Sequence, residues 1–221
     1  MDALSLSLRR SIESCAQRLL DSSELGHVAR AGGLTPRSVA YYLMSLRYLF
    51  IHSQKHLALA ADRAQQQSDP VLAAYFRRKV IEETGHDLWA SDDLSRIPDA
   101  AKQGLNPSPQ ILRLVALQRA VIERHPACFV VYSLWAEYFT VLVGDEWLAA
   151  LENCGFPRDR VSAIDKHLEA DREHAARGLS EVDALWHGEP SYAEMLQVVD
   201  EAAAIFEAFC DDVCAQARQA A

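Results

Sequence analysis

The chain has 221 residues, half of them hydrophobic, and a formal net charge of −9 at pH 7. This length and composition predict a single domain over residues 1–221 with one apolar core, and the acidic balance argues against nucleic acid as a partner. The five cysteines are scattered without a Cys-x-x-Cys pair, which favours a reducing, cytoplasmic location. The N-terminus lacks the apolar run of a signal peptide, and the longest apolar stretch, 128–144, falls short of a membrane span.

Helical patterns follow one another along nearly the whole chain, with no strand-like alternation and no repeat. Several of the patterns open on an N-cap residue followed by proline, as in Thr35-Pro36 and Ser108-Pro109. The seven predicted helices cover about residues 4–20, 36–67, 70–93, 109–125, 126–153, 164–185 and 191–218, with room for a short helix between 21 and 33. The sequence therefore predicts an all-α, single-domain, seven-helix bundle.

Two stretches in the first half of the chain carry histidines at helical spacing. His52 and His56 are i, i+4, but no acidic residue accompanies them, which favours histidines at the surface or at the edge of the core. Further along, Glu83 and His86 are i, i+3, and Glu82 and His86 are i, i+4. Either acid–histidine pair could hold one metal ion from a single helix face. Taken alone, this pair is equally typical of a solvated helix, because Glu and His are common on exposed faces.

Glu137 is the only charged residue in the apolar stretch 128–144. A helix that is apolar on all sides is buried, and a buried carboxylate is costly unless it is paired, protonated or bound to a metal. No lysine or arginine lies within one helical turn of it. The remaining partners are a metal ion, which we favour, or a salt bridge to another helix.

The helix 164–185 places polar side chains on the face that should enter the core. On a helical wheel of roughly 100° per residue, an apolar stripe begins at Ile164. His167, Asp171 and His174 are spaced i, i+4, i+7 and overlap this stripe. Inward polar side chains need partners, and imidazole and carboxylate are ligands that iron, manganese and zinc accept. The alternative interpretation is a charged helix whose histidines and aspartate lie at its boundary.

Three predicted helices together offer three imidazoles and three carboxylates as metal ligands: Glu83 (or Glu82), His86, Glu137, His167, Asp171 and His174. A zinc ion takes only three or four protein ligands, so six side chains favour two ions with open positions. Mixed nitrogen and oxygen donors suit iron, with manganese as the alternative. No catalytic residue beyond the ligands is assigned.

At these residues, over about 36–185, the chain resembles the haem-oxygenase-like diiron oxidases and oxygenases of the TenA/PqqC-like superfamily. Their pattern is a Glu and a His on one core helix, a Glu on a second, and His-x3-Asp-x2-His on a third. The third motif is the most specific part of the match. In some members the first carboxylate stands seven residues before the histidine, where this chain has Lys79. We choose Glu83, since members with the i, i+3 spacing exist.

This resemblance implies a haem-oxygenase-like fold and a diiron site that activates O2. It implies an iron-dependent oxidoreductase that oxidises a small molecule, similar to an amino acid or a fatty acid, in a biosynthetic pathway. The expected partners are therefore that substrate, O2 and a second copy of the chain in a homodimer, without nucleic acid or membrane.

Four other interpretations remain. A TenA-like thiaminase, or aminopyrimidine hydrolase, would use Cys128, because Cys128-x3-Tyr132 is similar to the Cys-x3-Tyr element of that branch; a lone cysteine in an apolar helix is more often inert. A ferritin-like diiron protein should show Glu-x-x-His twice. A haem oxygenase needs an early proximal histidine, and His27 lies in a polar break. The last is a non-catalytic binding protein on the same fold.

Overall fold

The structure is a computed structural model that describes residues 3–219, apart from the side chain of the last of them. The elements in this range are α1 (Leu4–Ser22), α2 (Glu24–Arg30), α3 (Pro36–Gln66), α4 (Pro70–Glu83), α5 (His86–Ser95), α6 (Asp99–Lys102), α7 (Pro109–Arg124), α8 (Pro126–Asn153), a 3₁₀ turn (Arg158–Arg160), α9 (Ser162–Leu185) and α10 (Tyr192–Gln219). No strand occurs between residues 3 and 219, so the predicted all-α class is confirmed.

The predicted number of seven helices is wrong, since ten α-helices occupy residues 3–219. Two of the additions, α2 and α6, are short, and the predicted helix 70–93 is divided into α4 and α5. The division falls at Gly85, whose φ of 91° is a left-handed conformation that glycine adopts without steric cost. Glu83 therefore ends α4 and His86 begins α5, so this pair does not lie on one helix face.

The central helix is α8, which contacts α1, α2, α3, α7, α9 and α10. Among the described helices, it alone is long and apolar enough to cross a membrane by length and composition, but 67% of its most apolar window is buried inside the fold. A cluster of buried apolar side chains surrounds it and extends from Leu4 on α1 to Cys214 on α10. The apolar sequence of α8 is therefore explained by its position in the core.

Small residues let α9 pack closely along α8. A Cβ atom added at Gly144 of α8 would lie 2.8 Å from Cδ1 of Leu168 on α9. A Cβ added at Gly178 of α9 would lie 3.1 Å from Cδ1 of Leu134 on α8. Both contacts are tighter than side chains normally tolerate. The close approach places the polar face of α9 beside Glu137.

The N-terminus of α9 is attached to α5 by a buried carboxylate. Asp93, near the end of α5, accepts hydrogen bonds from the backbone N–H of Ala163 at 2.7 Å and from Oγ of Ser162 at 2.8 Å. These bonds satisfy donors that a helix start leaves unpaired. They also set the position of α9 relative to α5, which begins with His86.

Replacing Asp93 with Ala should lower the free energy of unfolding by about 2 kcal/mol, because buried N-terminal donors lose their acceptor. In a chain of this size that loss corresponds to a decrease in Tm of about 4–8 °C, which thermal unfolding followed by circular dichroism would measure. The matched control is Asp92→Ala, since Asp92 pairs with Arg96 at the exposed surface and should contribute less than about 0.5 kcal/mol. Equal effects of the two variants would contradict this role for Asp93.

Candidate metal centre

Three parts of the fold bring the six predicted ligands to one region: the α4–α5 junction, the middle of α8 and the first half of α9. Their side chains are buried or nearly so, and none is more than 15% exposed: Glu83, His86, Glu137, His167, Asp171 and His174. Helix α9 presents its three polar residues to α8 because they share the face that carries its apolar stripe. The region is therefore a buried, polar site inside an apolar bundle.

Two groups of donor atoms lie within this region. One donor atom each from Glu83, His86 and His167 lie within 4.8 Å of one another. A second such group is formed by Glu83, Glu137 and His174. Because Glu83 belongs to both groups, its carboxylate would be shared if both groups held an ion.

Several of these donor atoms have no hydrogen-bond partner among the described residues. The buried atoms are Oε2 of Glu137, Nδ1 of His86, Nε2 of His167 and Nδ1 of His174. Nδ1 of His86 is 2.9 Å from Oε2 of Glu83, but the two atoms are not aligned as a hydrogen bond. Buried polar atoms nearly always have a hydrogen-bond partner, so four buried atoms without one in the same site require an explanation. The lone pairs of Oε2 of Glu137, Nδ1 of His86 and Nε2 of His167 are what a metal ion with nitrogen and oxygen ligands would take up, and the residues fit that role. Nδ1 of His174 lies next to Asp171, which leaves Nε2 of that ring for an ion.

Asp171 lies in neither of the two donor groups. Its carboxylate is 3.9 Å from Nδ1 of His167 and 3.6 Å from Nδ1 of His174. A carboxylate beside a metal-binding imidazole orients the ring and increases its basicity. The geometry therefore supports Asp171 as a partner of the two imidazoles more strongly than as a ligand.

The sequence analysis did not predict a role for Lys79, which enters the site from α4. Its side chain is 1% exposed, and Nζ lies 2.7 Å from Oε1 of Glu137 and 3.1 Å from Oε2 of Glu82. The salt bridge to another helix, which was the alternative explanation for Glu137, is therefore present. The sequence signal was its spacing, since Lys79 lies four residues before Glu83 and so shares a helix face with it.

Burial and charge act in opposite directions on this ion pair. Burial raises the pKa of Glu137 to about 7, although the neighbouring ammonium of Lys79 lowers it. Burial also acts to lower the pKa of Lys79, but the carboxylates of Glu137 and Glu82 outweigh it and the pKa is raised. Lys79 therefore remains a cation and holds one oxygen of Glu137, while the other oxygen is free.

Glu82, the alternative to Glu83, is surrounded by cations. Its carboxylate contacts Nη1 of Arg177 at 2.6 Å, Nζ of Lys79 at 3.1 Å and Nε of Arg78 at 3.5 Å. Glu83 has no such cationic contact among the described residues and belongs to both donor groups. The geometry therefore favours Glu83 over Glu82 as the metal ligand.

Aromatic rings cover the imidazoles on their outer faces. Phe50 stacks on His167 with ring centroids 4.2 Å apart, and Trp89 stacks on His86 at the same distance. The rings restrict the orientation of both imidazoles and limit the access of water.

A cavity of about 150 Å³ adjoins the donor atoms. Five of its residues are the charged or imidazole groups at one end: Lys79, Glu83, Glu137, His167 and Asp171. Most of the remaining wall is aliphatic or aromatic, and includes Leu46, Leu49, Phe50, Leu57, Leu114, Phe129, Tyr132, Trp135, Phe139, Ile164 and Phe206. The cavity therefore offers a mostly apolar space that ends at the polar site.

The other candidate residues, Cys128, His52 and His56, lie outside the two groups of donor atoms among the described residues. Cys128 is fully buried and is not among the residues that line the cavity, and burial raises the pKa of its thiol to about 11. A thiol with so high a pKa is a poor nucleophile. His52 and His56 have partners of their own, the carbonyl of Tyr48 and the side chain of Gln118, and neither belongs to a donor group of the described residues.

Comparisons with solved structures found similar folds. A domain of unknown function with a haem oxygenase-like fold, from Shewanella denitrificans, superimposes with a TM-score of 0.85 at 19% identity, covering 99% of this chain and 94% of that one. A CADD-like protein of unknown function from Nostoc punctiforme gives a TM-score of 0.70 at 15% identity, covering 96% and 99%. A TenA homolog from Pseudomonas syringae gives 0.71 at 14%, covering 96% and 93%.

No family model matches the sequence, and no curated protein matches it either. At identities below 20%, the structural likeness bears on the fold and leaves the activity open. The expected fold is confirmed over nearly the whole chain: it is the haem-oxygenase-like fold, shared with CADD-like and TenA-like proteins.

Proposed function

We propose that this protein is a non-haem diiron oxidase or oxygenase that uses O2 to oxidise a small molecule. The observation that carries the proposal is the pair of donor groups that share Glu83, with unpaired buried donor atoms around them. The adjoining apolar cavity offers space for a substrate beside these donors.

The composition of the two donor groups favours iron. Glu83, His86 and His167 form a set of two imidazoles and one carboxylate, which is the ligand set of many Fe(II) oxygenases. The group with Glu137 and His174 has two carboxylates and one imidazole. Three protein ligands at each ion leave positions open for O2 and substrate. Iron would supply the redox chemistry when bound, and manganese is the alternative metal.

The surrounding residues hold the site in a form that can bind metal. Lys79 donates to Oε1 of Glu137, so Oε2 is the oxygen available to an ion. Asp171 lies between the imidazoles of His167 and His174 and would keep their rings in place. The apolar wall of the cavity excludes bulk water from the reacting groups.

The nature of the wall supports an apolar substrate. Few charged groups line the cavity away from the donor atoms, so an apolar molecule with a fatty-acyl chain fits better than a zwitterionic amino acid. We further propose a cytoplasmic homodimer without nucleic-acid or membrane partners, consistent with the net charge of −9.

Metal analysis after anaerobic Fe(II) loading would test the proposal. Wild-type protein should hold about two irons per chain, the stoichiometry of carboxylate-bridged sites. Glu83→Gln should hold one iron or none, because the shared anionic donor is lost. The matched variant is Glu82→Gln, one residue away, which should still hold two. A saturating content of one iron or none in the wild type would refute the diiron assignment and favour a non-catalytic binding protein.

A further inference from the structure

A network of hydrogen-bonded polar side chains adjoins the cavity and contains none of the metal-binding residues. Gln118 of α7 is fully buried, and its Nε2 donates to Oη of Tyr132 at 2.8 Å and to Oγ of Ser53 at 3.1 Å. Its Oε1 lies 2.6 Å from Nδ1 of His56. The network thus joins α3, α7 and α8, and none of its members belongs to the donor groups.

This arrangement determines which way the two hydroxyls can donate. With a hydrogen on Nδ1 of His56, Oε1 of Gln118 accepts from that ring, and both N–H groups of the amide are then used, one for each hydroxyl oxygen, so the amide nitrogen cannot accept in return. Each hydroxyl therefore keeps its own hydrogen for another acceptor. Tyr132 and Ser53 both line the cavity, and neither donates to any described residue. Each of these two residues therefore has an unused O–H donor beside the cavity.

Trp135 adjoins the network, since its ring centroid lies 5.6 Å from that of Tyr132, and it also lines the cavity. Its Nε1 has no hydrogen-bond partner among the described residues, but this atom is fully buried and is therefore not counted with the two hydroxyls. Leaving a hydrogen-bond donor unpaired beside an apolar cavity costs free energy, so a ligand that supplies an acceptor to a hydroxyl gains affinity.

We propose that this donor set binds a neutral carbonyl oxygen of the substrate, at a position separate from the group that is oxidised. The proposal rests on the proposed function in taking this cavity as the substrate site. A carboxylate is disfavoured there, because Lys79 is the only lysine or arginine on the cavity wall among the described residues, and it is at the metal end and already paired. The substrate class is thus an apolar ketone, ester or amide.

Measured along the helix axes, Tyr132 and Ser53 lie about one helical turn from residues of the metal-binding site, and the bound carbonyl would lie at a similar distance from it. Tyr132 precedes Glu137 by five residues, which is about 7.5 Å along α8. Ser53 follows Phe50, the residue stacked on His167, by three residues, or about 4.5 Å along α3. An apolar segment of a few carbon atoms would therefore separate the carbonyl from the oxidised position.

Calorimetric titration of the metal-free protein with two small probes tests this inference. Acetophenone and isopropylbenzene have nearly the same shape, but a methyl group replaces the carbonyl oxygen in the second, and their ring suits a cavity of this size. We expect wild-type protein to bind acetophenone about tenfold more tightly, since two hydrogen bonds are made. Tyr132→Phe should reduce this preference to about threefold or less. Gln118→Glu should remove or reverse it, because the hydroxyls would then donate to the carboxylate.

The matched control is Thr140→Val. Thr140 also lines the cavity, but its hydroxyl donates to the carbonyl of Ala136 in its own helix, so the preference for acetophenone should persist. Infrared spectra of carbonyl-labelled acetophenone add a second readout. Its stretching frequency should fall on binding to wild-type protein and fall less with Tyr132→Phe.

Equal affinity for the two probes, no binding of either, or a preference that survives Gln118→Glu in folded protein would overturn the inference. Equal affinity would mean that the hydroxyls donate to Gln118 and not to the cavity, a surviving preference that other groups bind the carbonyl, and no binding that the cavity does not take such a ligand. The titration needs no metal, so its outcome is independent of iron content. A carbonyl preference in a protein that takes up no iron would support this donor set and reject the diiron oxidase.

Discussion

Replacing Glu137 with Gln should abolish the O2-dependent absorbance change of the Fe(II)-loaded protein and reduce its iron content to one ion or none. The substitution keeps the shape of the side chain but removes an anionic donor from the group formed with Glu83 and His174. Stopped-flow mixing of anaerobic, Fe(II)-loaded protein with oxygenated buffer would measure the change, with candidate substrates present in parallel.

The control for this experiment is Cys128→Ala. Cys128 is fully buried with a raised thiol pKa, so it should contribute to packing only, and the variant should react with O2 nearly as the wild type does. The thiaminase interpretation predicts the reverse order. Silence of the wild type with O2 and all candidate substrates, together with thiamin cleavage that depends on Cys128, would reject the proposed function.

Replacing Lys79 with Met should lower the stability of the metal-free protein by about 3 kcal/mol or more, because Glu137 then loses the cation that compensates its buried charge. In a chain of this length, the expected decrease in Tm is roughly 6–12 °C. Fe(II) should restore a large part of the loss, since the ion supplies the missing positive charge. Without Lys79 the pKa of Glu137 is raised further above its value in the unfolded chain, which destabilises the folded protein at neutral and alkaline pH, and Fe(II) would favour the carboxylate again. Thermal unfolding at pH 8 would therefore show a larger Fe(II)-induced increase in Tm for the variant than for the wild type.

A suitable control is Arg119→Met, which removes the exposed ion pair of Arg119 with Glu123. Exposed pairs contribute less than about 1 kcal/mol, so the Tm should change little and Fe(II) should act as on the wild type. If Lys79→Met unfolds at the wild-type temperature without metal, the buried pair does not stabilise this site, and the account of Glu137 given above is incorrect.

The class of fold and the neighbourhood of the site could both be predicted from the amino-acid sequence. Helical periodicity is a local property of the chain, so the long helices could be identified from spacing alone. Glu137 was recognisable because a single charge in an apolar stretch has to be buried and therefore needs a partner. The triplet His167, Asp171 and His174 was recognisable because its spacing overlaps the apolar stripe of one helix.

The contacts between side chains of different helices could not be predicted, because they depend on packing that no single stretch encodes. The break at Gly85 separates Glu83 from His86, and a left-handed glycine is not visible in a pattern of polar and apolar residues. The pair of Lys79 with Glu137 spans α4 and α8, and the hydroxyls oriented by Gln118 need three helices. Helical spacing shows which face of a helix is buried. Only the packed bundle shows which charge or hydrogen-bond donor lies opposite that face.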